Sequence, residues 1–238
     1  VESVSDHPRD VVATIRSAAL DGVILAPPAA DHPDVLDGLA QARIPFARIT
    51  PQSREELGLA TTMDDIAAGR EIAEHVIGFG HRRIAIIKGD PDHPVSEQRL
   101  TAYRAAFADA GVEYLPELVE TGDFSFESGY EATRRILSRK LRPTAIIAQN
   151  DDMAVGAMSA ARELGFDVPG DLSVVGFDDS EISRVVWPRL TTVRQPVVEM
   201  AHTAADMLLR QLAGEDPGPT VVHTHSLVER LTVAPPPA

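Results

Sequence analysis

The chain alternates short runs of β-branched and aliphatic residues with segments of helical periodicity, and this alternation constrains its fold more than any other feature. In the first pair, apolar residues between Pro8 and Leu20 recur on one helical face, and an Asp21-Gly22 turn separates them from the apolar run 23–26. This spacing predicts a helix followed by a strand.

The same pattern continues almost to the end of the chain. Further strands are predicted over 45–49, 83–88, 118–121, 144–149, 172–177, 190–193, 220–223 and 227–233, and further helices over 33–43, 65–78, 96–110, 125–139, 151–164 and 197–213. Helices between consecutive strands favour parallel sheets covered on both faces, which is the doubly wound α/β class. Nine or so strands suit two sheets better than one, and residues 235–238 are predicted to be a frayed tail.

Composition excludes several classes of function. There is no cysteine, so disulfides, thiolate nucleophiles and cysteine-based zinc sites are excluded. Acidic residues outnumber basic ones by 36 to 22, and a net charge of −14 repels phosphate backbones, so these residues are not expected to bind DNA themselves. Apolar runs such as 84–87 are four or five residues long, so we expect no membrane span.

Signatures of common cofactor and hydrolase sites are also missing. No Gly-x-Gly-x-x-Gly follows a strand, and neither a phosphate-binding Gly-x-x-x-x-Gly-Lys-Ser/Thr nor a Gly-x-Ser-x-Gly elbow occurs. His81 has no second histidine at ligand spacing and is more typical of a helix end. We therefore expect no cofactor and no metal.

Polar residues follow three of the predicted strands, at the edge where parallel sheets place ligands. Ser96 and Arg99 open the helix after the strand 83–88, Asn150 follows 144–149, and Asp178 follows 172–177. Arginine offers a fork of donors, and aspartate accepts hydrogen bonds from paired hydroxyls. Together they predict a binding site for a polar small molecule, without an obvious nucleophile.

Each of these residues also has a purely structural interpretation. Asn150 is equally well placed to cap the helix that begins at Asp151, and Asp178 and Asp179 are typical turn residues. Arg99 would most often be a solvated surface residue. Phe124, between a strand and a helix, could stack on a ligand ring or belong to a small core cluster.

Five blocks in this sequence resemble the lactose-repressor (LacI) and purine-repressor family of bacterial transcription regulators. The blocks cover 20–25, 77–85, 149–157, 172–179 and 188–193, and the likeness extends over nearly the whole chain. The resemblance implies the fold of type I periplasmic binding proteins, with two Rossmann-like lobes, three crossovers and the effector between the lobes. It implies one lobe from residues 1–63 and 194–223, and a second from 64–193 and 224–234.

The resemblance assigns roles to particular residues. Arg99 matches an arginine that anchors effectors, Phe124 an aromatic that stacks on the ligand, and Asn150 and Asp178 a polar pair. Asp64 matches an acidic residue of the first crossover. We also predict a homodimer whose contact uses the helix after Asn150, with three apolar residues outward or nearby: Val155, Met158 and Val186. The alternative is that these side chains face their own core.

The family pattern also contains elements that precede the segment beginning at Val1. These are a strand and a helix of the first lobe and, before them, a DNA-binding headpiece, so we expect the first lobe to be incomplete and operator DNA to be bound by a headpiece missing from this chain.

The sequence thus predicts the effector-binding and dimerisation domain of a cytoplasmic LacI-type regulator, with a sugar or a purine-like molecule as effector. Lobe closure would change operator binding by shifting a conformational population. A secreted solute-binding protein of a sugar uptake system is the alternative. A third hypothesis is a hydrolase that uses Asp178. Adjacent carboxylates in a strand point to opposite faces and therefore make a poor catalytic dyad, so we expect no enzyme.

Overall fold

The structure is a computed structural model that describes residues 8–54 and 56–237. Its helices are α1 (Pro8–Ser17), α2 (Pro33–Ala42), α3 (Asp65–Gly78), α4 (Pro94–Asp109), α5 (Phe126–Leu137), α6 (Asp151–Glu163), α7 (Glu181–Val185) and α8 (Val197–Leu212). Its strands are β1 (Val23–Leu25), β2 (Phe46–Ile49), β3 (Leu59–Met63), β4 (Ile84–Lys88), β5 (Val119–Thr121), β6 (Ala145–Ala148), β7 (Ser173–Val175), β8 (Thr192–Arg194), β9 (Val221–His223) and β10 (Ser226–Val228).

The chain forms two compact units and passes between them three times. The first unit comprises Val1–Asp64 and Pro196–Thr224, and the second comprises Asp65–Gln195 and His225–Ala238. Both contain a four-stranded parallel sheet, in the orders β1-β2-β3-β9 and β5-β4-β6-β7. The predicted α/β class with parallel sheets in two lobes is therefore confirmed.

In the first unit, α8 packs on β2 and β3, and a separate apolar cluster joins α2 to β1 and β2. A charged residue is central to this unit. Arg48 of β2 is fully buried and donates from Nε to the carbonyl of Ala30 at 2.7 Å. Its Nη atoms reach the carbonyl of Arg54 at 2.8 Å and a carboxylate oxygen of Asp31 at 3.0 Å. These contacts fix the turn that follows β2.

In the second unit, the core lies between the parallel sheet and helices α5 and α6. These two helices pack unusually closely because glycines face the neighbouring backbone. A Cβ atom on Gly129 would lie 2.2 Å from the carbonyl oxygen of Met153, and one on Gly156 would lie 2.1 Å from that of Phe126. Beside the main sheet, β8 and β10 form an antiparallel pair.

The residues after β10 differ from the sequence prediction. The strand expected over 227–233 is limited to Ser226–Val228, although the chain continues beside β7, where the amide of Val174 donates to the carbonyl of Thr232 at 2.9 Å. The carbonyl of Ala234 accepts from His81 Nε2 at 2.9 Å and from Ser173 Oγ at 3.1 Å. These contacts hold the chain at Ala234, directly before the predicted tail 235–238.

Two elements were missing from the sequence prediction. Strand β3 lies at Leu59–Met63, where Thr61 and Thr62 interrupt any apolar run, and the short helix α7 lies at Glu181–Val185. His81, predicted at a helix end, is instead a buried side chain that also contacts Thr144 Oγ1 at 2.9 Å.

Candidate functional site

The carboxyl edge of the sheet in the second unit brings together most of the predicted site residues. Its four strands end at Thr121, Lys88, Ala148 and Val175. The residues that follow these ends include Phe124, Asn150 and Asp178, and Ser96 and Arg99 lie in α4, which follows β4. This is the edge at which open α/β sheets bind ligands.

Arg99 is not the solvated surface residue that its position in a helix favours. Its side chain is 5% exposed, and its Nε and Nη2 donate to the same oxygen of Asp65 at 3.0 and 2.9 Å. Nη1 donates to the carbonyl of Gln149 at 2.7 Å, and the guanidinium carbon lies 3.5 Å from the ring centroid of Phe177. Three of its five N–H groups are thereby engaged, so two donors remain for another partner.

Gln149 connects β4, α4 and β6 through its side-chain amide. Its Oε1 accepts from the amide of Gly89 at 2.8 Å, and its Nε2 donates to the carbonyl of Ser96 at 2.8 Å. The Ser96 hydroxyl, in turn, donates to the carbonyl of Asp90 at 2.7 Å. Ser96 therefore fixes the loop before α4, and its hydroxyl proton is already used.

Asn150 has the capping role that its position suggested. Its Oδ1 accepts from the amide of Met153 at 3.0 Å at the start of α6, and its Nδ2 donates to the carbonyl of Phe124 at 2.8 Å. Its amide thus joins the ends of β5 and β6, and it is almost fully buried. A ligand could use only the remaining N–H and lone pair of this amide.

Phe124 forms an aromatic wall at this edge. Its backbone lies in the left-handed region, with φ +68°, and its ring packs beside Gly89, where a Cβ atom would lie 2.0 Å from Phe124 Cζ. The ring of His93 meets it edge-on, with centroids 5.6 Å apart. Phe124 is partly buried against the core, in agreement with the core-cluster interpretation, and its stacking on a ligand stays a prediction.

Asp178 is a strained and partly buried carboxyl group. Its φ of +124° is a conformation that residues other than glycine rarely adopt, and its amide donates to the carbonyl of Val193 at 2.8 Å. Gln195 Nε2 donates to its Oδ1 at 2.5 Å. Burial raises the pKa of Asp178 to about 7, and the nearby Arg99 guanidinium opposes this rise.

Asp151, at the start of α6, is a second carboxyl group in this region. Burial raises its pKa to about 6, against hydrogen bonds from Thr192 Oγ1 at 2.6 Å and from the amide of Ser180 at 2.7 Å. Through these hydrogen bonds Asp151 holds β8 and the start of α7 against α6.

Asp179 is more than a turn residue. Its side chain is 1% exposed and pairs with Arg184 at 2.8 Å, Arg194 at 2.7 Å and Arg230. Burial opposes ionisation, but the hydrogen bonds from these arginines together hold the pKa of Asp179 well below its usual value. The cluster fixes the backbone on the carboxyl side of Asp178.

Asp64 directly precedes Asp65, a member of this network. It is exposed and is the last residue of the first unit before the chain enters the second. Sequence reasoning missed Asp65, Gln149 and Gln195 as members of the network. Gln195 directly follows β8, so the rule that identified Asp178 would have found it if applied to that strand.

The predicted dimer residues lie elsewhere, and two of them are nearly buried within the single chain. Val155 is 8% exposed and Met158 is 5% exposed, because α6 is enclosed by α5, β6 and β7. Together with Val186 they form the floor of a cavity of about 450 Å³, hereafter the apolar pocket. Phe126 and the exposed Trp187 also line this pocket.

Neither a metal cluster nor a membrane-spanning helix is found in the part of the chain that the structure describes. No group of three histidine or acidic side chains there could hold a metal ion. None of the helices described combines the length and apolar character needed to cross a bilayer.

The fold and this polar sheet edge define a ligand-binding domain of the periplasmic-binding-protein type. Residues 73–233 match the periplasmic binding protein-like domain family. The regulator CelR of Thermobifida fusca is 36% identical over 214 residues, which cover 88% of this chain and 62% of CelR. The repressor PurR of Serratia proteamaculans is 34% identical over 233 residues, which cover 96% of this chain and 68% of PurR.

The solved structures that this chain resembles also include transcriptional regulators of the LacI family. A CelR–cellobiose complex superimposes with a TM-score of 0.87 at 33% identity, covering 97% of this chain and 71% of that one. A LacI-family regulatory protein from Chloroflexus aggregans has a TM-score of 0.86 at 30% identity, covering 98% and 84%. The chain belongs to the LacI family of transcriptional regulators. These relatives are transcriptional regulators, which are not enzymes. Because they are regulators, they also do not favour the alternative of a secreted solute-binding protein.

Proposed function

We propose that this chain is the effector-binding and dimerisation part of a cytoplasmic LacI-type transcriptional regulator, and that its effector is a small sugar. The observation that carries the proposal is the network at the carboxyl edge of the second unit, which offers unused donors on Arg99 and a carboxyl group on Asp178 beside the aromatic wall of Phe124. A sugar presents paired hydroxyls and an apolar ring face, and these groups match that combination.

The relatives support a sugar over the alternatives. CelR, which is similar over nearly all of this chain, has been solved with cellobiose. A purine is the second candidate, because PurR is also similar and Phe124 could stack on a base. Asp64 of the first crossover is a further acidic group of the proposed effector site, by its match to the family pattern.

Operator DNA is bound by a part of the protein outside these residues. The chain has a net charge of −14, which disfavours contact with DNA phosphates, and it spans 62% of the length of CelR. Effector binding shifts the population of lobe arrangements and thereby changes the affinity for the operator.

The chain acts as a homodimer through the surface around the apolar pocket. Exposed apolar side chains surround the floor formed by Val155, Met158 and Val186: Trp187 is 68% exposed and Val185 71% exposed. Sedimentation equilibrium should give a dimer that the Trp187→Ser variant weakens and the Leu231→Ser variant does not. A monomer at high concentration would contradict this assignment.

A binding experiment tests the effector site. Cellobiose, ribose and hypoxanthine are titrated into the purified chain by calorimetry, with thermal unfolding in parallel, since a ligand at 100 times its dissociation constant adds about 2.7 kcal/mol of stability. Asp178→Ala and Arg99→Ala should each weaken binding by roughly 10- to 150-fold, the worth of a charge-assisted hydrogen bond. Asp109→Ala, which removes an exposed carboxylate, is the control. Equal affinity in all three variants would place the site elsewhere.

A further inference from the structure

A second cavity lies at the amino edge of the sheet in the second unit, opposite the edge that carries Asp178. It has a volume of about 440 Å³. Arg83 and Thr144, which directly precede β4 and β6, contribute to its lining, as does Asp171, two residues before β7. It shares no lining residue with the network at the carboxyl edge.

Two arginines give this cavity its charge. Arg83 is fixed by a hydrogen bond from its Nε to the carbonyl of Arg142 at 3.1 Å, which leaves its Nη groups unused. Within residues 8–54 and 56–237, neither Arg83 nor Arg142 has a carboxylate within salt-bridge distance. Asp171 also lines the cavity, but its Oδ2 accepts from the amide of Asp167 at 2.8 Å. The cavity thus has two cationic groups and one carboxylate.

The remaining wall is apolar. Leu164, Phe166, Pro143 and Pro237 all line the cavity. The guanidinium of Arg142 lies 5.6 Å from the ring centroid of Phe166, so cationic and aromatic surfaces adjoin. Concave sites that combine an apolar wall with a few polar groups are typical of small-molecule sites.

We infer that this cavity is a second ligand site, which binds a small organic anion with an apolar body. The carboxylate of the ligand pairs with Arg83 and Arg142, and the apolar body packs on Phe166 and Leu164. Arginine favours this pairing because its planar fork matches a carboxylate. The assignment does not depend on the identity of the effector at the carboxyl edge.

Such a ligand would contact a segment that also lines the apolar pocket. Gly165 and Phe166 belong to both cavities. A ligand that packs on Phe166 therefore touches the loop between α6 and β7 next to the proposed dimer surface, through which it can influence dimerisation.

Calorimetry and two-dimensional NMR with phenylacetate test the site directly. 2-Phenylethanol serves as the neutral analogue, and inorganic phosphate as an anion without an apolar body. We expect phenylacetate to bind with a dissociation constant on the order of a millimolar, and more tightly than either comparison compound. Arg83→Ala and Arg142→Ala should each weaken it roughly 2- to 5-fold, as expected for an exposed charged contact. Arg189→Ala, which removes an exposed arginine outside the cavity, should have no effect.

Several results would overturn the assignment. These are the absence of phenylacetate binding up to about 20 mM, equal binding of 2-phenylethanol or phosphate, and retained binding in the Arg83→Ala/Arg142→Ala double variant. The Asp178→Asn variant separates the two sites, because it should bind phenylacetate like the unaltered chain even if its sugar affinity falls.

Discussion

A single oxygen of Asp65 accepts hydrogen bonds from both Nε and Nη2 of Arg99, at 3.0 and 2.9 Å. Asp65 is the first residue of the second unit, and the arginine that it holds is a main donor of the proposed effector site. The pair is buried on both sides, with side chains 5% and 4% exposed. The orientation of the guanidinium is therefore set before any ligand arrives.

Asp65→Ala should destabilise the chain by about 3–5 kcal/mol, because it leaves a buried arginine without its counter-charge. Urea unfolding followed by circular dichroism measures this change. Asp109→Ala breaks the exposed Arg70–Asp109 pair and should cost less than about 1 kcal/mol. Equal costs for the two variants would mean that Arg99 does not depend on Asp65.

Asp178→Asn should change how stability depends on pH. The folded-state pKa of Asp178 is raised to about 7, so between pH 4 and 7 the folded chain binds more protons than the unfolded chain. Stability contributed by the protonated group is therefore lost as pH rises through this window. Asparagine is no more strained than aspartate at this positive φ and does not titrate, so the variant should gain stability relative to the original chain as pH rises from 4 to 7.

Thermal unfolding of both chains at several pH values measures this difference. Comparing the two curves removes the opposite contribution of His81, whose pKa is lowered by burial. Parallel curves would contradict the raised pKa of Asp178.

The three arginines around Asp179 should contribute unequally to stability. Arg230 is 13% exposed and also donates to the carbonyl of Leu190 at 2.7 Å, whereas Arg184 is 57% exposed. Arg230→Ala should therefore cost about 2–4 kcal/mol, and Arg184→Ala less than about 1 kcal/mol. Urea denaturation of the two variants gives the order, and a reversed order would contradict this account of the cluster.

Gly156→Ala should destabilise the second unit although alanine favours helices. The added Cβ would lie 2.1 Å from the carbonyl oxygen of Phe126, so α5 and α6 would have to separate, at a cost of about 1–3 kcal/mol. Gly78→Ala is the matched control, because nothing lies within 4 Å of the new Cβ, and it should stabilise α3 by up to about 1 kcal/mol. The two melting temperatures should move in opposite directions.

Periodicity predicted the elements whose apolar residues follow a simple pattern. Helix α3 begins and ends where expected, and the strand-end rule selected Asn150 and Asp178, which lie at the same sheet edge in the structure. Periodicity missed β3 because Thr61, although fully buried, gives that strand a polar character. The burial of Arg48 could not be predicted from the sequence either, because it depends on carbonyl groups that only the folded turn brings together.

The surroundings of α6 could not be predicted for a related reason. Helical spacing shows that Val155 and Met158 share a face but not what covers it, and here the close approach of α5 does so. Asp179 looked like a turn residue because its three partners come from α7, β8 and the segment after β10. Only the tertiary structure brings these elements together.

The ring of Phe124 lies against Gly89, on the side where a side chain at position 89 would project. The ring fills the volume that any side chain on Gly89 would need, with 2.0 Å between the hypothetical Cβ and Cζ. Any side chain at position 89 would therefore require the Phe124 ring to move or to be replaced by a smaller side chain. A side chain at position 89 and a large ring at position 124 are mutually exclusive. Shortening the side chain at position 124 alone would open room for a bulkier ligand at this sheet edge, whereas a side chain at position 89 also requires a smaller residue at position 124.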